Sequence, residues 1–410
     1  MHLDAHDSAH PCFGPTPREA VLRVHLPVAP RSNLRLRFGS PRPAATAPAI
    51  LPGEALAWLE DVAACGEPVG MVGITGPGEP LATPETTLET LRLARAKFPG
   101  LSLCLTTNGL VGRGPDDKAP NLEALAAELK ELRLSHATLL VDAVRPEVAE
   151  KLYAWIRPGQ RTMPLARAAA ALVDAQRQLL LALVRAGITV KINTTVYTGL
   201  NAGHVEEIAR TTAALGASIM NILPCPAPAE TPDESATDAE APCPPGSELL
   251  AMVRDRAARH LPLMTAFEEC GDASLEAPNG HSAPASAILP RPSAERPNVA
   301  VCSASGMEVD LHLGQAPQFL IYGRREGLPV LLGTRTAPEP GSGSARWEKV
   351  AELLPDCFAL LAAGAGESPR KSLAAKGLKV LLAEDGAGID SAVDLLFGGG
   401  KKPGCGKKRA

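Results

Sequence analysis

The chain has 410 residues, 45% of them hydrophobic and 21% charged, with a net charge of −4. That length suits two or three domains and that composition a soluble globular protein, while the acidic balance argues against general nucleic-acid binding. No apolar run reaches the length of about 18 residues that a membrane span needs, so no membrane partner is expected. Met1 to Pro11 carries three histidines and no apolar core, unlike a signal peptide, and a cytoplasmic location is the expectation.

The elements alternate regularly. Residues 1–20 read as an N-terminal arm ending in His10-Pro-Cys12. Leu22, Val24 and Leu26 alternate with Arg23 and His25, which predicts a first strand over 21–29. A connection holding Arg31, Arg35, Arg37 and Arg42 leads to a helix over 54–65. The strand Val69 to Ile74 follows, then a helix whose apolar face is Leu88, Leu91, Ala94 and Phe98. Further strands are predicted over 101–106, 138–141, 188–196 and 218–223, with helices over 121–133, 146–155, 166–186 and 202–215. Six strands alternating with helices imply a parallel sheet, either a partial barrel or a doubly wound sheet. Residues 224–246, rich in Pro, Ala, Asp and Glu, read as a disordered insertion within a first domain spanning 21–275. A linker is expected over 276–297 and a smaller mixed α/β domain over 298–396. The basic tail, 397–410, reads as a solvated cluster and not as a nucleic-acid site.

The nine cysteines are scattered, as expected of reduced thiols, and none are closer in sequence than Cys225 and Cys243. There is therefore no CxxC.

The most informative stretch is Met71-Val-Gly-Ile-Thr-Gly-Pro-Gly-Glu-Pro80. A buried strand runs into a loop turning at Gly76 and Gly78, and a helix begins with Thr83 as N-cap, Pro84 at its first position and Glu85 in its first turn. Gly73 and Gly78 have Walker spacing, yet Glu79-Pro80 stands where Lys-Ser/Thr is required, and the dinucleotide fingerprint lacks its third glycine. An acidic residue without a neighbouring Lys or Arg suits a cationic group such as an amine better than a phosphate. An ordinary strand-to-helix turn is the other reading, and the residues alone do not separate the two.

Several stretches together resemble the NifB family, the nitrogenase cofactor maturases, in the long form with a NifX-like carboxyl-terminal domain. They are His10-Pro-Cys12, Val24-His-Leu-Pro-Val-Ala-Pro30, Gly73-Ile-Thr-Gly-Pro-Gly-Glu-Pro-Leu81, Cys104-Leu-Thr-Thr-Asn-Gly-Leu110 and Val190-Lys-Ile-Asn193. In the second domain they are His312-Leu-Gly and Gly366-Glu-Ser-Pro-Arg-Lys371. The resemblance spans about residues 10 to 395. It implies a partial TIM-type (β/α)6 radical-SAM-like barrel followed by a mixed α/β NifX-like domain. It also implies S-adenosylmethionine (SAM) and [4Fe-4S] chemistry, and as partners an iron–sulfur cofactor precursor and nitrogenase assembly proteins. Gly76, Pro77, Gly78, Glu79 and Pro80 would meet the SAM amino group through their backbone, with Asn108 and Asn193 as further pocket residues or as turn caps.

The family's CxxxCxxC loop falls on Ser32, Leu36 and Gly39, and no other cysteine lies nearby. Thiolates hold the iron of such clusters, so a four-iron cluster and radical cleavage of SAM are not expected here. Cys12, Cys270 and His312 remain as metal-ligand candidates. The expectation is a carrier, scaffold or regulator of cofactor assembly. The alternatives are an active maturase with unusual cluster ligation, or a barrel binding SAM or another small molecule in an unrelated role.

Overall fold

The computed structural model describes residues 22–38, 49–64, 69–113, 118–159, 163–225, 243–264, 274–276, 282–284, 289–325, 328–339, 344–383 and 387–398. Cys12, Gly39, Cys270, most of the expected insertion and the basic tail beyond residue 398 lie outside them.

Strands β1 (Leu22–Ala29) and β2 (Leu34–Leu36) precede helix α1 (Pro52–Ala64). Then come β3 (Val69–Pro77), α2 (Pro84–Lys97), β4 (Ser102–Thr107), α3 (Leu122–Glu131), β5 (Leu134–Leu140) and α4 (Pro146–Leu152). They are followed by β6 (Tyr153–Ile156), α5 (Leu165–Arg185), β7 (Thr189–Val196), α6 (Val205–Ala214), β8 (Ile219–Pro224) and α7 (Ser247–Ala257). Strands β1, β3, β4, β5, β7 and β8 lie side by side in chain order and all pair in parallel. Sequential order with a helix at each crossover is the arrangement of a partial (β/α)6 barrel, not of a doubly wound sheet, whose order reverses midway.

Strand residues alternate between faces. Val24, Val72, Leu103, Leu105, Ala137, Leu139, Val190, Ile192 and Ile222 join one core cluster with the helices. The other face holds His25, Met71, Cys104, His136, Thr138, Lys191, Asn193 and Asn221, all buried, so the concave side of the barrel is polar. Helix α2 shows how the sequence sets this up. Pro84 opens it, Glu85 sits in its first turn and Arg95 and Lys97 in its last, complementing the helix dipole. Thr87, Leu88, Leu91 and Ala94 form its buried stripe.

Residues 274–276 and 282–284 lie at the expected junction of barrel and linker. The short strands β9 (Ser274–Glu276) and β10 (Ser282–Pro284) return to the barrel sheet, with β9 antiparallel to β1.

The second domain is built from β11 (Asn298–Val301), β12 (Glu308–Val309), β13 (Gln318–Arg325), β14 (Leu328–Thr336), α8 (Ser344–Leu353), β15 (Cys357–Ala362), α9 (Glu367–Ala374), β16 (Lys379–Leu382), β17 (Ala387–Gly388) and α10 (Ile389–Gly398). Its five-stranded sheet runs β14-β13-β11-β15-β16. One face packs in its own cluster around Phe319, Ile321, Val350 and Leu373. The other joins the barrel, so that Ile50, Trp58 and Leu59 share one apolar cluster with Val299, Leu361, Leu381 and Phe397. The Ala49 N–H donates to Leu382 O at 3.1 Å, Arg370 Nη2 donates to Ala49 O at 3.2 Å, and Lys379 pairs with Glu54. The Ile50 N–H donates to Pro27 O at 2.9 Å, which fixes the docked domain beside the carboxyl end of β1.

Within this domain Arg335 of β14 grips Asp356, just before β15, through two bonds of 2.5 and 2.8 Å, and Asn298 Nδ2 adds a third at 2.8 Å. Arg335 chiefly, then Asn298, hold the Asp356 carboxyl down from 3.8 to about 2. A depressed carboxylate contributes stability that is complete above its unfolded value. That contribution is lost as pH falls from about 4 towards 2. Asp356→Asn is expected to remove about 1–2 kcal/mol of stability at neutral pH and to flatten the acid limb between pH 4 and 2. Denaturant unfolding at stepped pH measures both.

Candidate functional site

The glycine loop leaves β3 at the carboxyl end of the barrel, where parallel α/β folds place their ligands. The Gly76–Pro77 peptide is cis. The Gly78 N–H donates to Ala29 O at 2.7 Å and the Glu79 N–H to Arg31 O at 2.8 Å, so the end of β1 lies directly against the loop. A Cβ on residue 78 would stand 2.6 Å from the Arg31 carbonyl carbon and oxygen, which is why glycine is required there.

The Glu79 side chain is bonded within the scaffold. Its carboxylate is buried and faces inward to the scaffold, accepting from the Leu81 N–H at 2.9 Å, the Asn108 N–H at 2.7 Å and the Thr107 hydroxyl. It caps the short 3-10 turn Pro80–Ala82 and ties the loop to the end of β4. Asn108 is likewise committed: Nδ2 donates to Asn33 Oδ1 at 2.7 Å, and Oδ1 accepts from the Leu110 N–H at 2.9 Å. Of the two asparagines, Asn108 therefore takes the turn-capping role. Asn193 on β7 differs, because its buried Oδ1 has no hydrogen-bond partner. An orphaned acceptor of that kind suits an N–H or O–H of a ligand. The residues thus fit SAM in part, through the orphaned Asn193 Oδ1, while the Glu79 and Asn108 side chains are engaged with the protein itself.

The residues do not fit a four-iron cluster. Leu34, Leu36 and Phe38 pack into an apolar cluster with Leu110, Tyr153, Ile156, Tyr197 and Cys225. β2 pairs with β6, matching Leu34 to Ile156 and Leu36 to Tyr153. The strip is fastened at both ends, by Arg157 N–H to Asn33 O at 2.8 Å and Arg37 N–H to Leu152 O at 2.9 Å. The Arg37 guanidinium caps the end of α4, donating to Glu150 O and Tyr153 O at 3.2 Å each. A hydrocarbon core and a helix-capping arginine occupy the segment in which cysteine ligands would be needed.

Two soft donors that face the lumen were not singled out from the sequence. The place where a Gly73 Cβ would sit is 2.9 Å from His25 Nδ1 and 3.0 Å from Cys104 Sγ. Cys104 Sγ in turn lies 3.4 Å from Met71 Sδ. Imidazole and thiol thus crowd the space that a side chain at position 73 would take, with the Met71 thioether beside the thiol. Among the described residues no group of three or more His, Cys, Asp and Glu side chains is arranged to hold a metal ion. The signal was the alternation of β1: His25 reads as an outward polar residue until the strand is seen to be covered on both faces.

His312 lies at the other domain's edge near Arg31. Its ring packs against Gly364, and Nδ1 accepts the Gly314 N–H at 3.0 Å. The neutral ring then carries its proton on Nε2. Partial burial lowers its pKa and the Arg31 charge adds to this. Nε2 therefore presents an N–H, and iron could bind there once that proton moves to Nδ1, which ends the Gly314 bond, or is lost outright, which keeps it.

A family model described as "Dinitrogenase iron-molybdenum cofactor" matches residues 296–399. The chain is 36% identical over 408 residues to the FeMo cofactor biosynthesis protein NifB of Chlorobaculum tepidum, covering 95% of this chain and 92% of that protein. To the NifB of Klebsiella pneumoniae it is 29% identical over 416 residues, covering 91% and 86%. Among solved structures it is similar to native anSMEcpe with bound AdoMet, at TM-score 0.38 and 16% identity over 54% of this chain and 55% of the other. It is also similar to the FeFe-hydrogenase maturase HydG from Carboxydothermus hydrogenoformans, at TM-score 0.41 and 12% identity over 60% and 54%.

Proposed function

The chain belongs to the NifB family of FeMo cofactor biosynthesis proteins, and on that premise we propose that it serves cofactor assembly as a carrier or scaffold for an iron–sulfur precursor, without radical chemistry of its own. Membership places its role in cofactor biosynthesis for nitrogen fixation. The finer reading rests chiefly on one observation, the replacement of the cluster loop by the apolar strip Leu34–Leu36 and its Arg37 cap.

A carrier still needs donors for its cargo. His25 and Cys104 supply an imidazole and a thiol beside Met71 in the buried lumen, a donor set that suits iron and sulfide. Cys12 and Cys270 would add single thiolates from segments outside the described residues. His312 would meet the cargo through its Nε2–H, donating to a bridging sulfide beside the barrel mouth. The docked second domain would then be the recipient as the precursor leaves the lumen, and assembly proteins would draw from it. Asn193 would bind a donor group of SAM or of another small molecule.

The test is anaerobic incubation of the full chain with ferrous iron and sulfide, followed by desalting and iron analysis. The wild-type chain is expected to retain iron, and His25→Ala and Cys104→Ser each to lower it several-fold with an unchanged circular dichroism spectrum. Failure of the wild-type chain to retain iron, or equal retention by both variants, would overturn the lumen as the carrying site.

A further inference from the structure

Strand β8 ends at Pro224, and Cys225 follows at the rim of the barrel. Cys225 is buried, its N–H donating to Val196 O at 3.1 Å, and it belongs to the same apolar cluster as Tyr197, with Leu36 and Phe38 packed against it. Its Sγ lies 3.7 Å from the carbonyl oxygen of Cys243, whose thiol is exposed ahead of α7. Rotation about the Cys243 side chain alone moves its sulfur relative to a Cys225 that is fixed by strand and core.

We propose that Cys225 and Cys243 form a reversible disulfide, with a peroxide as oxidant and a small thiol as the resetting reductant. This does not depend on the carrier reading. The exposed Cys243 thiolate attacks one oxygen of hydrogen peroxide, the O–O bond breaks, and hydroxide leaves, giving a sulfenic acid. Cys225 Sγ then attacks the sulfenic sulfur, and the S–O bond breaks with loss of water. In sum two thiols and one peroxide give one disulfide and two waters. Two equivalents of a monothiol, or one dithiol, reverse it by exchange.

The order of events follows from exposure. Burial, with Cys243 adding to it, pushes the Cys225 thiol up, so Cys225 serves as the resolving sulfur and not as the sensor. The other buried thiols of the second domain are poor competitors, since burial pushes both Cys302 and Cys357 up to about 12. Oxidation would covalently join the last barrel strand to the approach of α7, beside the apolar strip that replaces the cluster loop.

The experiment uses the full chain, reduced, desalted and treated with hydrogen peroxide, then digested without reductant for mass spectrometry. The expected result is a linked peptide pair containing Cys225 and Cys243, two hydrogens lighter than the sum of its parts. A thiol titration should fall by two of the nine and recover fully with dithiothreitol. Cys243→Ser, at an exposed position, should abolish the link and spare the other thiols, and Cys225→Ser should leave Cys243 as sulfenic or sulfinic acid. Cys243 found paired with another cysteine, or oxidised to sulfinic acid while Cys225 is intact, would overturn the proposal.

Discussion

Replacing Glu79 with alanine is expected to destabilise the barrel by about 3–5 kcal/mol, because it leaves two buried backbone N–H groups and a hydroxyl without an acceptor. The donors are Leu81, Asn108 and Thr107, and the last two lie 29 and 28 residues away on another strand end. Glu79→Gln keeps the shape and one oxygen, so Oε1 can still serve Leu81 and Thr107 while an amide nitrogen faces the Asn108 donor. About 1–3 kcal/mol is the expected loss there. Denaturant midpoints give the comparison, with calorimetric titration of SAM alongside. A carboxylate whose business was a ligand amine would give the opposite pattern: an unmoved midpoint in Glu79→Ala and a loss confined to binding.

The second large effect concerns chemistry. With iron, sulfide and dithionite under anaerobic conditions, the chain is expected to produce no 5′-deoxyadenosine from SAM above a protein-free control. Reductive cleavage needs a cluster iron open to SAM, and the segment offers a leucine in an apolar cluster where a thiolate is required. Reinstating Ser32→Cys, Leu36→Cys and Gly39→Cys tests whether only the ligands are missing. Leu36→Cys alone should cost about 1–2 kcal/mol for the side-chain volume removed from a partly buried site. Cleavage by the wild-type chain would reject the carrier reading outright, and growth of a maturase-deficient diazotroph on dinitrogen with this chain would do the same.

Much of the architecture was legible. The six-fold alternation implied the parallel sheet and the family resemblance its closure as a partial barrel, and the long helix expected over 166–186 is α5, Leu165–Arg185. What escaped depends on partners distant in sequence. The helix expected over 146–155 ends at Leu152, and Tyr153–Ile156 becomes a strand because Leu34–Leu36 lies beside it. Strand β14 was not foreseen, since Leu328-Pro-Val-Leu-Leu-Gly333 lacks clean alternation and is defined by pairing with β13. The glycine loop was found by its turn residues, but the duty of Glu79 is set by bonds to β4 that no local pattern reveals. Likewise Cys225 and Cys243 stood out only as near neighbours in sequence, and their contact is a property of the fold.

The contacts that dock the second domain also set an order in time. Arg370 reaches Ala49 and Lys379 reaches Glu54 across separations of 321 and 325 residues, among the longest closures in the chain. The last parallel strand, β8, leaves the ribosome roughly 160 residues before Leu382, which at about 5–20 residues per second is on the order of ten to thirty seconds. A nascent barrel therefore has its six parallel strands complete while Ala49 still lacks the strand edge it will pair with. In that interval the rim beside β1 is open to solvent, and a precursor delivered during synthesis would meet a lumen without its neighbouring domain.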